Sequence, residues 1–263
     1  MARKQFLSFL LIFSLLISCA SALAEADDDD DWDDNVDDAW EMEHPLRSGD
    51  YAYAPLDDGM VKITSYGGAD TEIVIPDTLD GKPVTAIGEL AFHFSLSLTS
   101  VTIPDSVTSI GNSAFSDCSS LATVTLPASI SEISDHLFFA CDVLSSVNIP
   151  DSVTRIGESA FASCDQLHTI DIPDSVTIID HGAFQLSGIT SVSIPNSVTT
   201  IGNGAFSYCD TLTDVTLPGS LTEIGHMTFA HSLSLTSITI PASVTFIDND
   251  AFKYHNSLTL TVT

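Results

Sequence analysis

Apolar side chains recur along most of this chain in a fixed order, with a period of 23 residues. The stretch IPDSVTSIGNSAFSDCSSLATVTLP, residues 103–127, shows one period, and its proline and its phenylalanine both recur in register. One step, from Pro173 to Pro195, is 22 residues long. A fixed period of about 20 to 50 residues is typical of a solenoid, in which each coil packs on its neighbours. The phenylalanines are Phe92, Phe115, Phe138, Phe161, Phe184, Phe206, Phe229 and Phe252.

Each repeat contains two short segments with strand character. In the first, LTSVTI at residues 98–103, Val101 and Ile103 alternate with polar residues, so one face is apolar and the other polar. The second, SVTSI at residues 106–110, is also rich in β-branched residues, and the proline between the two segments forces a corner. Stacked coils therefore predict a parallel β-sheet with one face in the core and one in solvent.

The segment around each phenylalanine has a different composition. Residues 112–118, NSAFSDC, combine small residues with one large aromatic, and we expect a single helical or 3₁₀ turn with Phe115 pointing inward. The prediction for the fold class is therefore an α/β solenoid, a horseshoe or right-handed coil of about eight coils with a stacked phenylalanine column.

The strand pattern followed by PDSVTxIGxxAFxxC resembles the BspA-like leucine-rich repeats of bacterial surface proteins. The resemblance covers residues 51–263, including the GKPVTAIG of the first coil. It implies the leucine-rich-repeat fold and an adhesin-like role at the cell surface. Fibronectin, fibrinogen and other microbes are the suggested targets of such proteins.

The first residues are typical of an export signal. Arg3 and Lys4 precede a 12-residue apolar run, residues 6–17, which is too short to span a bilayer. We expect residues 1–24 to be a signal peptide and the protein to be secreted or at the cell surface. Residues 16–19, LISC, also fit a permissive bacterial lipobox with Cys19 as the lipidated residue; the alternative is that Cys19 is an ordinary small residue of the leader.

Residues 25–50 are strongly acidic, with 13 acidic residues and one arginine. Such charge density predicts a disordered arm, either a solubilising spacer or a docking motif built on Trp32 and Trp40. Residues 51–75 are expected to form a β-hairpin cap around Asp57-Asp58-Gly59, and residues 76–263 the solenoid. The formal charge of −29 makes nucleic acid and anionic membrane poor partners, because like charges repel.

Four cysteines share one repeat position, three residues after the phenylalanine: Cys118, Cys141, Cys164 and Cys209. Serine or histidine fills the position in other coils, which favours a ladder of small buried side chains; oxidation between neighbouring coils is the alternative. The sequence contains no nucleophile elbow, no His-Glu-x-x-His pattern and no phosphate-binding glycine loop. We therefore expect no enzyme, no cofactor and no metal.

The solvent side of the main sheet is the candidate ligand-binding face, with an extracellular or surface protein as its partner. Serine and threonine also simply suit exposed strands, and their regular columns leave an ice-binding surface as an alternative. A third hypothesis is self-assembly through the C-terminal edge, residues 258–263, because an open strand edge pairs with other chains. The face residues are Thr102, Thr123, Thr125, Ser146, Asn148, Thr169, Asp171, Ser193, Asp214, Thr216 and Thr239.

Overall fold

The computed structural model describes residues 45–255 and 257–263. The expected signal peptide, Cys19, Trp32 and Trp40 lie outside these residues. Within them the chain forms twenty short strands and no helix. Among the same residues there is no segment of helix long and apolar enough to cross a membrane.

Two rows of strands run along the solenoid, one strand of each row per coil. The first row contains the strands of the first segment of each repeat, which alternate between core and solvent except in the fully exposed β20: β4 (Glu72–Val74), β7 (Ser100–Thr102), β9 (Thr123–Thr125), β11 (Ser146–Val147), β14 (Ser191–Ser193), β16 (Asp214–Thr216), β18 (Ser237–Ile240) and β20 (Thr259–Val262). The second row contains β6 (Lys82–Ile87), β8 (Ser109–Ile110), β10 (Glu132–Ile133), β12 (Arg155–Ile156), β13 (Ile178–Ile179), β15 (Thr200–Ile201), β17 (Glu223–Ile224) and β19 (Phe246–Ile247). The remaining strands, near the N-terminal end, are β1 (Leu46–Ser48), β2 (Tyr51–Pro55), β3 (Val61–Tyr66) and β5 (Thr78–Leu79).

The predicted parallel pairing and alternation are confirmed. Ser100 pairs with Thr123 and Val101 with Val124, in register and in parallel. Val101 is 1% exposed, whereas Thr123 faces solvent. The first row is not continuous, however, because residues 167–172 form no strand and the row divides into β4-β7-β9-β11, β14-β16 and β18-β20.

The α/β class and the helical or 3₁₀ turns are wrong for the described chain. The segment around Phe115 is a series of turns, with Ser113 at φ 55° and Asp117 at φ 57°. A right-handed helix cannot contain these left-handed residues. The amides of Ser113, Phe115 and Asp117 donate to carbonyls of the next coil, while those of Ala114 and Ser116 donate three residues back within their own coil. Alternate N–H groups therefore join neighbouring coils, as in a sheet.

The phenylalanine column forms as predicted. Rings of adjacent coils lie nearly parallel, with centroids 4.8 Å apart between Phe92 and Phe115 and 6.0 Å apart between Phe115 and Phe138. Tyr66 stacks on Phe92 at 5.3 Å, and Tyr51 packs on Tyr66. The N-terminal end of the column is therefore covered by side chains of the cap.

The side chain at the cysteine position donates a hydrogen bond to the preceding coil, a role that its small size alone does not predict. All four thiols are buried, and the Sγ–H of Cys118 and of Cys141 donates to the phenylalanine carbonyl of the preceding coil at 3.1 Å. Ser232 donates to the Phe206 carbonyl at 2.7 Å, and His255 Nε2 lies 2.8 Å from the Phe229 carbonyl. Cysteine, serine and histidine are interchangeable here because each supplies a hydrogen-bond donor.

The cap is larger than the predicted hairpin. β2 and β3 pair around the turn at Gly59, as expected, but β1 adds a third antiparallel strand. The expectation of disorder through residue 50 is thus wrong for residues 46–48. These residues form a strand that pairs with residues 51–53, although their sequence shows no strand pattern. The cap continues into the second row because β3 pairs in parallel with β6.

The 22-residue repeat is accommodated by one glycine. The missing residue falls between Ser187 and Ile189, and the shorter connection brings Gly188 against the preceding coil. The amide of Gly188 donates to the Cys164 carbonyl at 3.0 Å, and a Cβ at Gly188 would lie 1.9 Å from the Asp165 carbonyl oxygen. A side chain larger than hydrogen cannot fit unless the backbone shifts.

Exchanging Cys141 tests the donor column. Cys141→Ser keeps a donor for the Phe115 carbonyl, so we expect a small loss of stability. Cys141→Ala leaves a side chain close to serine in size but removes the donor, and we expect it to be about 1–3 kcal/mol less stable than the serine variant in the free energy of unfolding. Urea denaturation followed by circular dichroism measures both; an alanine variant as stable as the serine variant would contradict the assignment.

Replacing Gly188 by alanine should lower the free energy of unfolding by about 1–3 kcal/mol, because the new methyl overlaps the Asp165 carbonyl. Gly219→Ala is the matched control, since its Cβ would meet only Asn196 Oδ1, at 3.5 Å. Thermal unfolding of the two variants provides the comparison. Equal midpoints would show that the backbone relaxes freely at Gly188.

Candidate binding face

The sequence-predicted face residues lie together on the outer side of the first row. Ten of them are exposed and Thr102 is half-buried. Nine of the eleven, including Asp214 at the start of β16, occupy a first-row strand or directly follow one. Thr169 and Asp171 differ, because their segment forms no strand and interrupts the row between β11 and β14.

The hydroxyls of this face differ from those elsewhere in the repeat. At several other positions they donate to a carbonyl one coil earlier, as Thr108 does to Thr85 at 3.3 Å and Thr213 to Thr190 at 3.0 Å, although the buried hydroxyls of Ser106, Ser175, Ser197 and Ser243 have no such partner. Thr123, Thr125 and the other face side chains make no side-chain hydrogen bond within the described residues. Their polar groups are therefore available to a partner.

The single cation near the middle of the solenoid points away from this face. Arg155 lies on β12 in the second row, and its guanidinium binds Asp135 at 2.6 Å, Asp180 at 2.9 Å and Glu132 at 3.2 Å. Burial raises the pKa of Asp180, but the His181 amide and Arg155 outweigh it, so the pKa is lowered. The cluster joins three consecutive coils.

A serine, a histidine and an aspartate meet at one place that sequence reasoning missed. His93 Nδ1 lies 2.6 Å from Ser116 Oγ and 3.7 Å from Asp117. An acyl-transfer triad needs the acid and the serine on opposite ring nitrogens, and an accessible hydroxyl. Ser116 is 3% exposed and donates to the Ser113 carbonyl at 3.0 Å, so the grouping does not have that geometry.

The same arrangement recurs four coils further on, with a different partner for the serine. Gln185 Nε2 donates to Ser207 Oγ at 3.0 Å, and Ser207 donates to the Gly204 carbonyl at 2.9 Å. The recurrence at equivalent repeat positions identifies this contact as a bond between coils. In the sequence, both residues of each such contact directly follow a repeat phenylalanine.

The cysteine column lacks the features of a reactive site. Burial raises the pKa of Cys118 and of Cys209 to about 12, and it raises that of Cys141 as well. The thiolate is the reactive form, so these thiols are poor nucleophiles. No group of three or more histidine, cysteine or acidic side chains suited to a metal occurs in the described part of the chain.

Sequence reasoning also missed an aromatic column at the surface. Tyr208, His231 and Tyr254 stack with centroids 4.2 and 4.0 Å apart, and Lys253 Nζ lies 5.3 Å from the Tyr254 ring. The three side chains occupy one repeat position, two residues after the phenylalanine. The column lies outside the first row and is not part of the candidate face.

Comparison with known proteins finds relatives that share this repeat. The family described as "BspA type Leucine rich repeat region" matches residues 85–209 and 132–259, with 6 copies. TpLRR of T. pallidum is 30% identical, with a TM-score of 0.55 over 78% of this chain and 86% of that one. A leucine-rich repeat protein of Bacteroides ovatus is 26% identical, with a TM-score of 0.60 over 82% of this chain and 53% of that one, so this chain spans about half its length. A leucine-rich cell surface protein of Faecalibacterium prausnitzii is 26% identical, with a TM-score of 0.47 over 80% and 86%. No curated protein matches the chain.

Removing the Arg155 cation tests the cluster. Arg155→Gln leaves three carboxylates facing one another, and we expect the free energy of unfolding at neutral pH to fall by about 1–2 kcal/mol, a value discounted for partial exposure. Because the folded-state pKa of Asp180 is lowered, its stabilisation is present above the unfolded-state pKa and is lost as pH falls through the folded-state pKa. The difference between wild type and variant should therefore shrink as the pH is lowered.

Lys253→Gln provides the control, because it removes the same charge from an exposed pair with Asp250. Chemical denaturation at several pH values measures both variants. A pH-independent loss for Arg155→Gln would show that its aliphatic packing, and not its charge, stabilises the fold.

Proposed function

Because the chain belongs to the BspA-type leucine-rich repeat family, we propose that it is a non-catalytic module that binds an extracellular or surface protein through its first-row face. One observation carries the proposal. The outward side chains of this face are exposed and make no side-chain hydrogen bond within the described residues, whereas comparable hydroxyls elsewhere bind the neighbouring coil.

The shape of the face favours a macromolecule. Small-molecule sites are concave and mostly apolar, whereas the first row presents short polar side chains on successive extended strands. Protein interfaces use broad surfaces of this kind. Aspartate is depleted in strands, so Asp214, which opens β16, is not explained by strand preference alone.

Export is part of the proposal. The basic start, the apolar run and the small-residue site of residues 1–24 support secretion or display at the cell surface. Cys19 is proposed as a lipid attachment point, with an unlipidated leader as the alternative. No enzyme activity, cofactor or nucleic acid enters the proposed function.

Self-association is a second candidate, supported by the last strand. β20 pairs with β18 on one side, and Leu260 and Val262 on it are 47% and 73% exposed. An apolar edge of this kind can pair with a second copy. The ice-binding alternative has less support, because the gap at residues 167–172 interrupts the regular serine and threonine array.

Bulky substitutions on the face test the binding proposal. Thr125→Tyr with Thr216→Tyr places two large rings on β9 and β16, and we expect loss of binding to those extracellular proteins that the wild-type chain captures on an array. Tyrosine suits exposed strands, so the fold should persist. Ser109→Tyr with Thr200→Tyr makes the same change at exposed positions of the second row and should retain binding.

Two results would contradict this proposal. Equal binding by both tyrosine variants would remove the first row as the site. Self-association would be favoured instead by three results together: a particle size that depends on concentration, binding that vanishes on dilution, and loss of binding on Leu260→Lys.

A further inference from the structure

The first-row face carries acidic groups and no basic ones. Glu72, Asp171 and Asp214 are exposed at its outward positions. From Ser100 to Thr261 no outward position of the row is lysine or arginine. The remaining outward side chains are short and polar, so nothing on the face screens these carboxylates with a positive charge.

The rest of the solenoid does not neutralise this charge. Between Lys82 and Lys253 the chain contains one basic residue of the lysine or arginine type, Arg155. Its guanidinium belongs to the second row and is bound by three carboxylates at 2.6 to 3.2 Å. The summed field over the first-row face is therefore negative, and it attracts cations and repels anionic ligands.

We infer that the occupant of the first-row face is a lysine- or arginine-rich segment of another protein. This inference rests on the proposed function and specifies its partner. Lysine and arginine lay long apolar stems along a surface and keep the charged head free, which suits a face of short serine and threonine side chains. Their N–H groups can donate to Asp171 and Asp214 and to face hydroxyls that make no hydrogen bond in the described part of the chain.

The test uses two labelled peptides of equal length, one alternating lysine and threonine and one alternating glutamate and threonine, with the full chain. Fluorescence anisotropy is recorded at low salt and at physiological salt, because screening weakens contacts between exposed charges. We expect saturable binding of the lysine peptide, weaker at the higher salt, and no binding of the glutamate peptide.

Two charge-matched variants locate the site. Asp171→Asn with Asp214→Asn removes two carboxylates from the face; Glu158→Gln with Glu223→Gln removes two exposed carboxylates outside it. We expect the face variant to weaken lysine-peptide binding about threefold or more and the control by less than about 1.5-fold. The acidic residues 25–50 are identical in both variants, so their contribution to binding cancels.

Several outcomes overturn the inference. These are equal weakening by the two variants, binding of both peptides alike, or no binding of the lysine peptide at low salt. Failure of the inference is distinct from failure of the proposed function. If the tyrosine variant loses its array partners while Asp171→Asn with Asp214→Asn keeps them, the face binds proteins but not through positive charge.

Discussion

Contact between coils is the constraint on which the whole structure depends. A single coil closes few hydrogen bonds of its own, since every second amide of the phenylalanine turn donates to the next coil. Phe115 is fully buried only because Phe92 and Phe138 cover its two ring faces. Each coil is thus stabilised by its neighbours, as expected for a quasi-one-dimensional array. The cap covers one end of the column with Tyr66 and Tyr51.

The same constraint separates the polar side chains into two classes. Hydroxyls that lie beside a carbonyl of the preceding coil, such as that of Thr213, are used for cohesion. Hydroxyls on the outward side of the first-row strands, such as those of Thr123 and Thr125, are exposed and make no side-chain hydrogen bond within the described residues. Composition alone does not distinguish the two classes, because both are rich in threonine and serine. Their position relative to the neighbouring coil decides which groups remain available for binding.

The periodicity was sufficient to predict the parallel pairing, the phenylalanine column and the membership of the outer face. It could not predict the turns around Phe115, because left-handed conformations at Ser113 and Asp117 are imposed by acceptors on the next coil and not by local preference. The donor role of Cys141 was hidden for a related reason: its acceptor lies 26 residues earlier in the chain. The strand β1 was missed because its three residues, Leu46 to Ser48, are too short a segment to show an alternating pattern, and the pairing with β2 is made by the backbone.

The gap in the first row follows from the one short repeat. The missing residue lies between the phenylalanine turn and the next first-row strand, so it alters the path leading to β14, while the second row beside it pairs without a break from β10 to β15. The continuous pairing of β12, β13 and β15 past this point supports that reading. Gly188 is pressed against Asp165, and His168 Nδ1 contacts the Gly188 carbonyl at 3.0 Å. At this coil the break therefore affects the first row and not the second, and it places Asp171 on a segment whose backbone is not held by strand pairing.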